Sequence, residues 1–471
     1  MKILLAHGYT LAEDPREQEI MRPFPPLGLQ YLASFLGERG GHDVVVWDPT
    51  FGSLRDWPGV LDRERPDVVG VYGHTITRPL LKGMVAEAKG RGLPVVAGGP
   101  DPVQYLDEYL AMGVDVVVIG EGEHTFAELV AAASGRGTGG GWESERLGEI
   151  AGIAFIDPGS GHPTVSRTAP RALVKKLDDL PRPQRRRADL DGYFNAWRAR
   201  HGQTAMSLTT SRGCPYHCTW CSKQVYGDTF RRREPDAVID EMLAIRAEYN
   251  PDQLWFVDDM FTINRRWVHR FCGRVVERKA QVPFYVIGRP ETLDEALVMA
   301  MREAGCFRMY VSAESGAQHV LDAMKKESTV EDIERGAALL RSAGIELGVF
   351  TMLGYPGEEK PDILATRDLL RRILPEVTLL SVAHPMKGTA FHTLVQDQIT
   401  GEQAGRLTFE MRHSPALYDA AQRMIWADQD LRRAMRVFGR GSESATPQTL
   451  TGLLRAAARY PWWRARFALQ T

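Results

Sequence analysis

Three of the five cysteines in this chain stand within eight residues of one another. In SRGCPYHCTWCSK they follow the spacing C-x-x-x-C-x-x-C at Cys214, Cys218 and Cys221, and no cysteine precedes them. Three thiolates can hold three irons of a [4Fe–4S] cube and leave the fourth iron open to a substrate or cofactor. A structural zinc site is the alternative, and it needs a fourth protein ligand such as His217 or a more distant residue.

Composition limits the other possibilities. Cys272 and Cys306 lie in apolar sequence, where free cysteines are usually buried, and five cysteines in 471 residues are too few for a disulfide scaffold. Lys plus Arg (58) nearly balances Asp plus Glu (60), which argues against a nucleic-acid partner. No apolar run approaches the ~18 residues that cross a bilayer, and the first residues turn acidic too early for a secretory signal. We therefore expect a cytoplasmic protein, with peripheral membrane contact left open.

Strands and helices alternate in the first part of the chain. The segments KILLAHG, HDVVVWD, PDVVGVYG, LPVVAGG and VDVVVIG are short apolar strands separated by helical sequence. This alternation predicts a doubly wound parallel α/β sheet of the Rossmann type, which we assign to residues 1–145. Its last part, residues 134–145, is a Gly-rich flexible stretch, and residues 146–200 are expected to be a linker that contains a strand pair.

A second α/β pattern occupies residues 201–395. The strands SLTTSRGC, LWFVDD, PFYVIGR, MYVSAES and LGVFTML are each followed by polar or helical sequence. Repeated units of this kind predict a full or partial parallel (β/α) barrel, in which ligands bind at the carboxyl ends of the strands. The cysteines and the polar sequences SAESG and GYPGEE fall at those ends. Residues 396–471 are predicted to form a mainly helical carboxy-terminal region.

The cysteine motif, with Trp220 as the aromatic of C-x-x-x-C-x-aromatic-C, resembles the radical S-adenosylmethionine (radical SAM) superfamily. Four further segments occur in matching order, and they are GVDVVVIGEGEHTFAEL, LWFVDDMFTIN, CFRMYVSAESGAQHVLDAMKK and GVFTMLGYPGEE. Together they resemble the branch in which a cobalamin-binding domain precedes the barrel, which includes the anaerobic magnesium-protoporphyrin IX monomethyl ester cyclase, hopanoid methylases and related C-methylases. The resemblance covers roughly residues 1–395 and implies a [4Fe–4S] cluster, SAM and cobalamin as cofactors.

The resemblance also implies roles for residues of the barrel. The three cysteines would ligate the cluster and act as the catalytic metal centre. Trp220 would lie near the adenine of SAM, and Glu314 would hydrogen-bond SAM, because charge-assisted hydrogen bonds are short and directional. Gly354 and Gly357 would let the backbone approach the cofactor closely. Ordinary core packing for Trp220 and plain turns for the two glycines are the structural alternatives.

Cobalamin is expected at the carboxyl edge of the first sheet. The D-x-H-x-x-G motif of the mutases is absent, since Leu5 and Thr10 stand where His7 would need an Asp and a Gly, and we expect no His ligand to cobalt. Candidate contacts are the small residues that follow the strands, and they are Thr75, Gly98, Gly99, Gly120 and Gly122. Glu121 and Glu123 precede a helix and are expected only to cap it.

The activity implied by the resemblance is C-methylation of an unactivated carbon in a lipophilic, hopanoid-like substrate or a natural product. SAM would be cleaved with an electron from an external flavodoxin- or ferredoxin-type donor, a substrate hydrogen removed, and a methyl group taken from methylcobalamin. An oxidative cyclase or other oxidoreductase is the alternative, which the mass of the product would distinguish. A non-catalytic iron–sulfur or corrinoid sensor, which would not cleave SAM, ranks lower.

The carboxy-terminal region carries a local positive charge. Residues 401–471 contain eleven Arg, no Lys and six acidic residues, and the chain closes with ARYPWWRARFALQT. Residues 455–471 fit two interpretations. They could dock on anionic lipid headgroups with aromatic rings at the interface, or form a helix that packs on the barrel with Arg stems along its edge. We favour the packing interpretation.

Overall fold

A computed structural model describes residues 1–133, 142–157, 164–403, 405–439 and 447–470. Residues 134–141 of the predicted Gly-rich stretch therefore lie outside the described residues. By its internal contacts the chain divides into two units. The first comprises Met1–Pro215, Ser222–Val257 and Glu402–Arg406, and the second comprises Tyr216–Cys221, Asp258–Gly401 and Leu407–Thr471.

A seven-stranded sheet forms the centre of the first unit. Its strands are β1 (Lys2–His7), β2 (Asp43–Trp47), β3 (Val68–Tyr72), β4 (Val95–Gly98), β5 (Val116–Val118), β6 (Ile153–Asp157) and β7 (Thr164–Arg167). They lie in the order β2-β1-β3-β4-β5-β6-β7. Strands β1 to β5 run parallel, as their uninterrupted apolar runs predict. Strands β6 and β7 pair antiparallel and extend the sheet into the segment that was expected to be a linker.

Helices connect and cover these strands. They are α1 (Pro15–Ile20), α2 (Leu27–Gly40), α3 (Trp57–Glu64), α4 (Arg78–Gly90), α5 (Pro100–Gln104), α6 (Leu106–Ala111), α7 (Gly122–Ala133), α8 (Ser144–Glu149) and α9 (Arg187–His201). Successive strand residues face opposite sides of a sheet. Accordingly, Leu4 packs in one apolar cluster with α3 and α4, and Leu5 packs in another with α2 and α7. The sheet is therefore covered on both faces.

The first unit continues beyond this sheet. It includes β8 (Ala205–Leu208), β9 (Ser211–Arg212), β10 (Arg231–Arg232), α10 (Pro235–Glu248) and β11 (Gln253–Phe256). Strands β8 and β11 pair in parallel. Strands β9 and β10 pair antiparallel and enclose the sequence that contains the three cysteines.

Parallel strands and helices alternate in the second unit. The elements are α11 (Arg265–Glu277), β12 (Phe284–Gly288), α12 (Glu295–Glu303), β13 (Cys306–Glu314), α13 (Gln318–Ala323), α14 (Val330–Ser342), β14 (Glu346–Leu353), α15 (Lys360–Ile373), β15 (Val377–Val382) and α16 (Ala390–Val395). Their strands lie in the order β15-β14-β13-β12, and all neighbours are parallel. The sequence patterns predicted β12, β13 and β14. They did not predict β15, which has the sequence VTLLSV.

The carboxy-terminal region is mainly helical, as expected. It contains a short pair of strands, β16 (Ile399–Gln403) and β17 (Arg406–Phe409), followed by α17 (Pro415–Gly439) and α18 (Pro447–Leu469). Helix α18 packs against α17, where the guanidinium of Arg423 lies 4.9 Å from the ring of Trp463. Phe467 is buried, and Arg466 lies over the rings of Trp462 and Trp463. These contacts agree with the packing interpretation of the Arg- and Trp-rich end. Within the described ranges, no helix has the length and apolar character needed to cross a membrane.

Candidate functional site

The three cysteines lie in one loop, residues 213–230, which we call the cysteine loop. Its two ends are held by β9 and β10, where Arg212 is the register partner of Arg231. Gly213 opens the loop with a φ of +85°, and a Cβ there would stand 2.1 Å from the carbonyl oxygen of Thr229. Only glycine can occupy that position, because the backbone is both left-handed and in close contact with the opposite end of the loop.

The cysteines themselves are accessible and reduced. None of the five cysteines forms a disulfide, and Cys214 and Cys218 are partly exposed while Cys221 is exposed. Among the described residues, no three His, Cys, Asp or Glu side chains are already gathered as a metal site. The donor set nonetheless fits an iron–sulfur cluster, since such clusters are held by cysteine thiolates and this short loop supplies three of them. Cys272 and Cys306 are buried, and burial raises the pKa of the Cys306 thiol, as expected for inert core cysteines.

The tip of the cysteine loop is anchored within the second unit through Thr219. Its hydroxyl lies 2.6 Å from the hydroxyl of Tyr355, and its backbone N–H donates to the carbonyl oxygen of Met324 at 3.0 Å. Its own carbonyl oxygen accepts from the backbone N–H of Phe391 at 2.8 Å. Tyr355 belongs to GYPGEE, so this motif positions the residue between Cys218 and Trp220.

Two buried cations lie beside the aromatic residues of the loop. The guanidinium of Arg289, only 1% exposed, is 3.7 Å from the centre of the Tyr216 ring. The ammonium of Lys326, 2% exposed, is 5.8 Å from the centre of the Trp220 ring. Arg289 also donates a hydrogen bond to the carbonyl oxygen of Lys326, which links the two cationic residues. Trp220 is half-buried against an apolar cluster, so its packing and its predicted place near adenine are compatible.

Glu314 ends β13 close to these cations. It is 5% exposed and has a φ of +56°, a strained backbone conformation for a non-glycine residue. Burial raises the pKa of the Glu314 carboxyl, and the charges of Lys326 and Arg289 together with a hydrogen bond from Ser312 oppose this rise. A buried carboxyl with two neighbouring cations can bind a ligand that carries both hydroxyl or ammonium donors and a carboxylate.

The two glycines of the GYPGEE turn differ in the space around them. Gly354 has a φ of +80°, a left-handed conformation that favours glycine, and a Cβ there would displace the flexible end of the Met411 side chain. Gly357 has a φ of +89° with open space around it. The backbone N–H of Gly354 donates to the Glu358 carboxyl at 2.5 Å. Glu358 is fully buried, and this burial raises its pKa to about 8.

The predicted cobalamin contacts follow adjacent strands of the first sheet. Thr75 follows β3, Gly98 and Gly99 end and follow β4, and Gly120 and Gly122 follow β5. Because β3, β4 and β5 are parallel neighbours, these turns share one edge of the sheet. Space around a would-be Cβ is open at Gly122, whereas at Gly99 a Cβ would stand 2.6 Å from the carbonyl oxygen of Gly73. Gly99 is therefore explained by internal packing, while Gly122 leaves room for a ligand.

Glu121 and Glu123 differ from their expected role as helix caps. Both are buried, and both form ion pairs with Arg212, at 2.8 Å from Glu121 and 2.6 Å from Glu123. Burial lowers the pKa of Arg212, but the charge of Glu123 and the bonds from both carboxylates outweigh it, so this pKa stays raised. The sequence did not reveal this pairing, because the partners are separated by about ninety residues and no local pattern connects them.

Comparison with known protein families agrees with this geometry. Residues 19–130 match the model of the B12 binding domain. Residues 208–370 match the model of the radical SAM superfamily. The first match covers β2 to β5 with the glycine turns, and the second covers the cysteine loop and the strands up to β14. The predicted resemblance is confirmed, since the chain carries a match to the B12 binding domain followed by a match to the radical SAM superfamily.

Two individual proteins are similar to most of this chain. An uncharacterized methyltransferase of Pyrococcus horikoshii is 29% identical over 398 residues, which cover 83% of this chain and 82% of the relative. The anaerobic magnesium-protoporphyrin IX monomethyl ester cyclase of Rubrivivax gelatinosus is 26% identical over 369 residues, or 76% of this chain and 64% of the relative.

A solved structure shows the same fold. It is the radical SAM methyltransferase TsrM from Kitasatospora setae with cobalamin and a [4Fe–4S] cluster bound, and it is 22% identical with a TM-score of 0.68. The similarity covers 85% of this chain and 75% of TsrM. The predicted fold class, a Rossmann-type domain followed by a partial parallel barrel and a helical carboxy-terminal region, is confirmed. The boundaries at residues 145, 200 and 395 stay predictions.

Proposed function

We propose that the chain is a cobalamin-dependent radical SAM methyltransferase that methylates an unactivated carbon. The observation that carries this proposal is the cysteine loop, which holds three thiols and whose Tyr216 and Trp220 lie beside the buried cations Arg289 and Lys326. The match to the B12-binding model and the methyltransferase relative support methyl transfer. When bound, the cluster, SAM and cobalamin would supply a hydrogen-abstracting radical and a transferable methyl group.

The residues of this chain would bind and orient those cofactors. Cys214, Cys218 and Cys221 would ligate the cluster. Glu314 would accept hydrogen bonds from the hydroxyl or ammonium groups of SAM. The half-buried Trp220 would exclude water from the adenine side.

The glycine turns of the first sheet would bind cobalamin through close contact with the backbone rather than through charge. Gly122 leaves open space after β5, where a flat corrin ring could approach the backbone closely, and Gly120, where a Cβ would stand 3.7 Å from the Val225 carbonyl oxygen, lies beside it. Thr75 would donate a hydrogen bond to a corrin amide. These contacts follow from the position of the residues on one sheet edge and are part of the proposal.

Anaerobic reconstitution tests the proposed activity. Purified protein is loaded with iron, sulfide and cobalamin, supplied with SAM, reduced with a flavodoxin- or ferredoxin-type donor, and assayed for 5′-deoxyadenosine. We expect about four irons per chain. We expect a loss of deoxyadenosine in Cys218→Ala and its retention in Cys272→Ala, a matched control whose thiol is buried in the core. Wild-type protein that forms no deoxyadenosine would contradict the proposal and favour a sensor. A saturated zinc site would contradict the proposal and favour a structural zinc site.

The substrate is a finer proposal. We propose a lipophilic substrate such as a hopanoid-like lipid, or a natural product, and the test offers a lipid extract and a porphyrin to the reconstituted enzyme. A product that is heavier by one methyl group supports methylation. A product with inserted oxygen or lost hydrogen would instead support the oxidative activity of the cyclase, which the relative from Rubrivivax gelatinosus keeps open.

A further inference from the structure

Glu121 contacts both ends of the cysteine loop. Its Oε1 accepts a hydrogen bond from Nη1 of Arg212 at 2.8 Å. Its Oε2 accepts from Nη1 of Arg231 at 2.8 Å. These arginines are register partners, the last residue before the loop and the first residue after it. One carboxylate thus bridges the two strands that close the loop.

The bridge is buried and reinforced on each side. The backbone N–H of Val174 donates to Oε2 of Glu121 at 2.7 Å, and Glu123 accepts a bond from Nη2 of Arg212 at 2.6 Å. Glu121, Glu123 and Arg212 are each 6% exposed. Charge-assisted hydrogen bonds in so dry an environment are short, directional and little screened by salt. The arrangement therefore fixes the positions of Arg212 and Arg231 relative to each other.

The cysteine loop needs such a bridge. Strands β9 and β10 have only two residues each, and a ladder of that length is marginal without tertiary contacts. Closing residues 213–230 also costs chain entropy. Cys214 stands two residues beyond Arg212, so a loop base that opens would move this thiol first.

The bridging residue also stands in the turn where cobalamin is proposed to bind. Glu121 lies between Gly120 and Gly122, and Gly120 has a φ of +88°. The Glu121 side chain is fully engaged with its arginines and Val174, so it is not available to a ligand. A ligand on the backbone of the glycine turn would nevertheless restrict the residue that bridges the loop.

We propose that Glu121 is a positioning residue that holds the base of the cysteine loop and makes this loop respond to occupancy of the glycine turn. The inference rests on the proposed function, because it takes the loop as the cluster site and the turn as the cobalamin site. Glu121 acts through Arg212 and Arg231. It does not touch either cofactor.

The test compares Glu121→Gln with Glu128→Gln in the full chain. Both residues are glutamates in or just before α7, but Glu128 pairs with Arg171 instead of the loop arginines. Cluster-free protein is alkylated with iodoacetamide, with and without hydroxocobalamin, and Cys214 modification is followed by peptide mass spectrometry. Bound corrin is measured by its absorbance after gel filtration.

In wild-type protein and in Glu128→Gln, we expect hydroxocobalamin to slow the alkylation of Cys214. In Glu121→Gln, we expect alkylation about fivefold faster or more, since a loop that opens more often exposes its thiol, and no effect of hydroxocobalamin despite retained corrin binding. After reconstitution, the electron paramagnetic resonance spectrum of the reduced cluster with SAM should change in Glu121→Gln alone. Unaltered alkylation and an unaltered spectrum in this variant would overturn the inference, and so would loss of corrin binding.

Two further outcomes concern the proposed function and the folding of the Glu121→Gln variant. A wild-type protein that assembles no cluster and binds no corrin would refute the proposed function itself. If Glu121→Gln does not fold, Glu123→Gln provides the second variant, because it removes only one bond to Arg212. Its alkylation of Cys214 should rise less than in Glu121→Gln but in the same direction, and an unaltered rate there would overturn the inference.

Discussion

The buried carboxyl of Glu358 should make the stability of the protein depend on pH. Its ordinary pKa of 4.5 rises to about 8, mainly by burial. One of its oxygens accepts from the backbone N–H of Gly354, and Oε1 has no hydrogen-bond partner among the described residues. Replacement by Gln in Glu358→Gln keeps the shape and the acceptor for Gly354 and removes the ionisation.

The direction of the pH dependence of stability follows from whether the folded or the unfolded state binds the Glu358 proton more tightly. Because the folded-state pKa of Glu358 exceeds the unfolded value, protonation favours the folded state. The carboxyl costs nothing at a pH well below 4.5, its cost grows as the pH rises towards 8, and it stays constant above that. At 1.36 kcal/mol per pKa unit, the cost grows by about 3–4 kcal/mol between pH 5 and pH 8, as an upper estimate. The Gln variant escapes this cost.

Thermal unfolding of cofactor-free protein, followed by circular dichroism at pH 5, 6, 7 and 8, measures the effect. The difference in Tm between Glu358→Gln and wild type should grow with pH by on the order of 10 °C. The control is Glu334→Gln, whose side chain is 39% exposed and pairs with Arg372. Its Tm difference should not change with pH over this range. A Tm difference for Glu358→Gln that is the same at pH 5 and pH 8 would refute the reasoning.

Two further predictions concern the cysteine loop. Tyr355→Phe removes the hydroxyl that lies 2.6 Å from the Thr219 hydroxyl, and should cost about 1 kcal/mol of stability. A double-mutant cycle with Thr219→Val checks this, and additive effects of the two changes would contradict a direct bond. Gly213→Ala would place a Cβ 2.1 Å from the Thr229 carbonyl oxygen at a φ of +85°, and should cost about 2 kcal/mol or more. Gly227→Ala, also left-handed but in open space, should cost less by thermal unfolding, and equal costs would argue against the close contact.

The two glutamates of the GEGE sequence have a different role in the structure from the one that the sequence predicts. In sequence, two glutamates before a helix suggest capping, because carboxylates favour the amino-terminal end of a helix dipole. In the structure, Glu121 and Glu123 are buried ion-pair partners of Arg212. Removing one partner of a buried pair leaves an uncompensated charge. The two glutamates therefore stabilise Arg212, the last residue before the cysteine loop.

The sequence by itself determined the elements and the cofactor chemistry. Uninterrupted apolar runs specify buried parallel strands, because both faces of such a strand meet helices. Strands β1 to β5 and β12 to β14 were predicted for this reason. The spacing of Cys214, Cys218 and Cys221 identified the thiol trio, since ligands within one loop are neighbours in sequence as well as in space.

Only the tertiary structure decided what surrounds those cysteines. Arg289 and Lys326 lie in different strand–helix units from the cysteine motif, and their proximity to Tyr216 and Trp220 follows from packing. The hydrogen bonds that Glu121 accepts from Arg212 and Arg231 join residues 91 and 110 positions apart. A hydrogen bond over such a separation leaves no periodicity or local motif in one sequence. It exists only because the fold brings the end of β5 to the base of the cysteine loop.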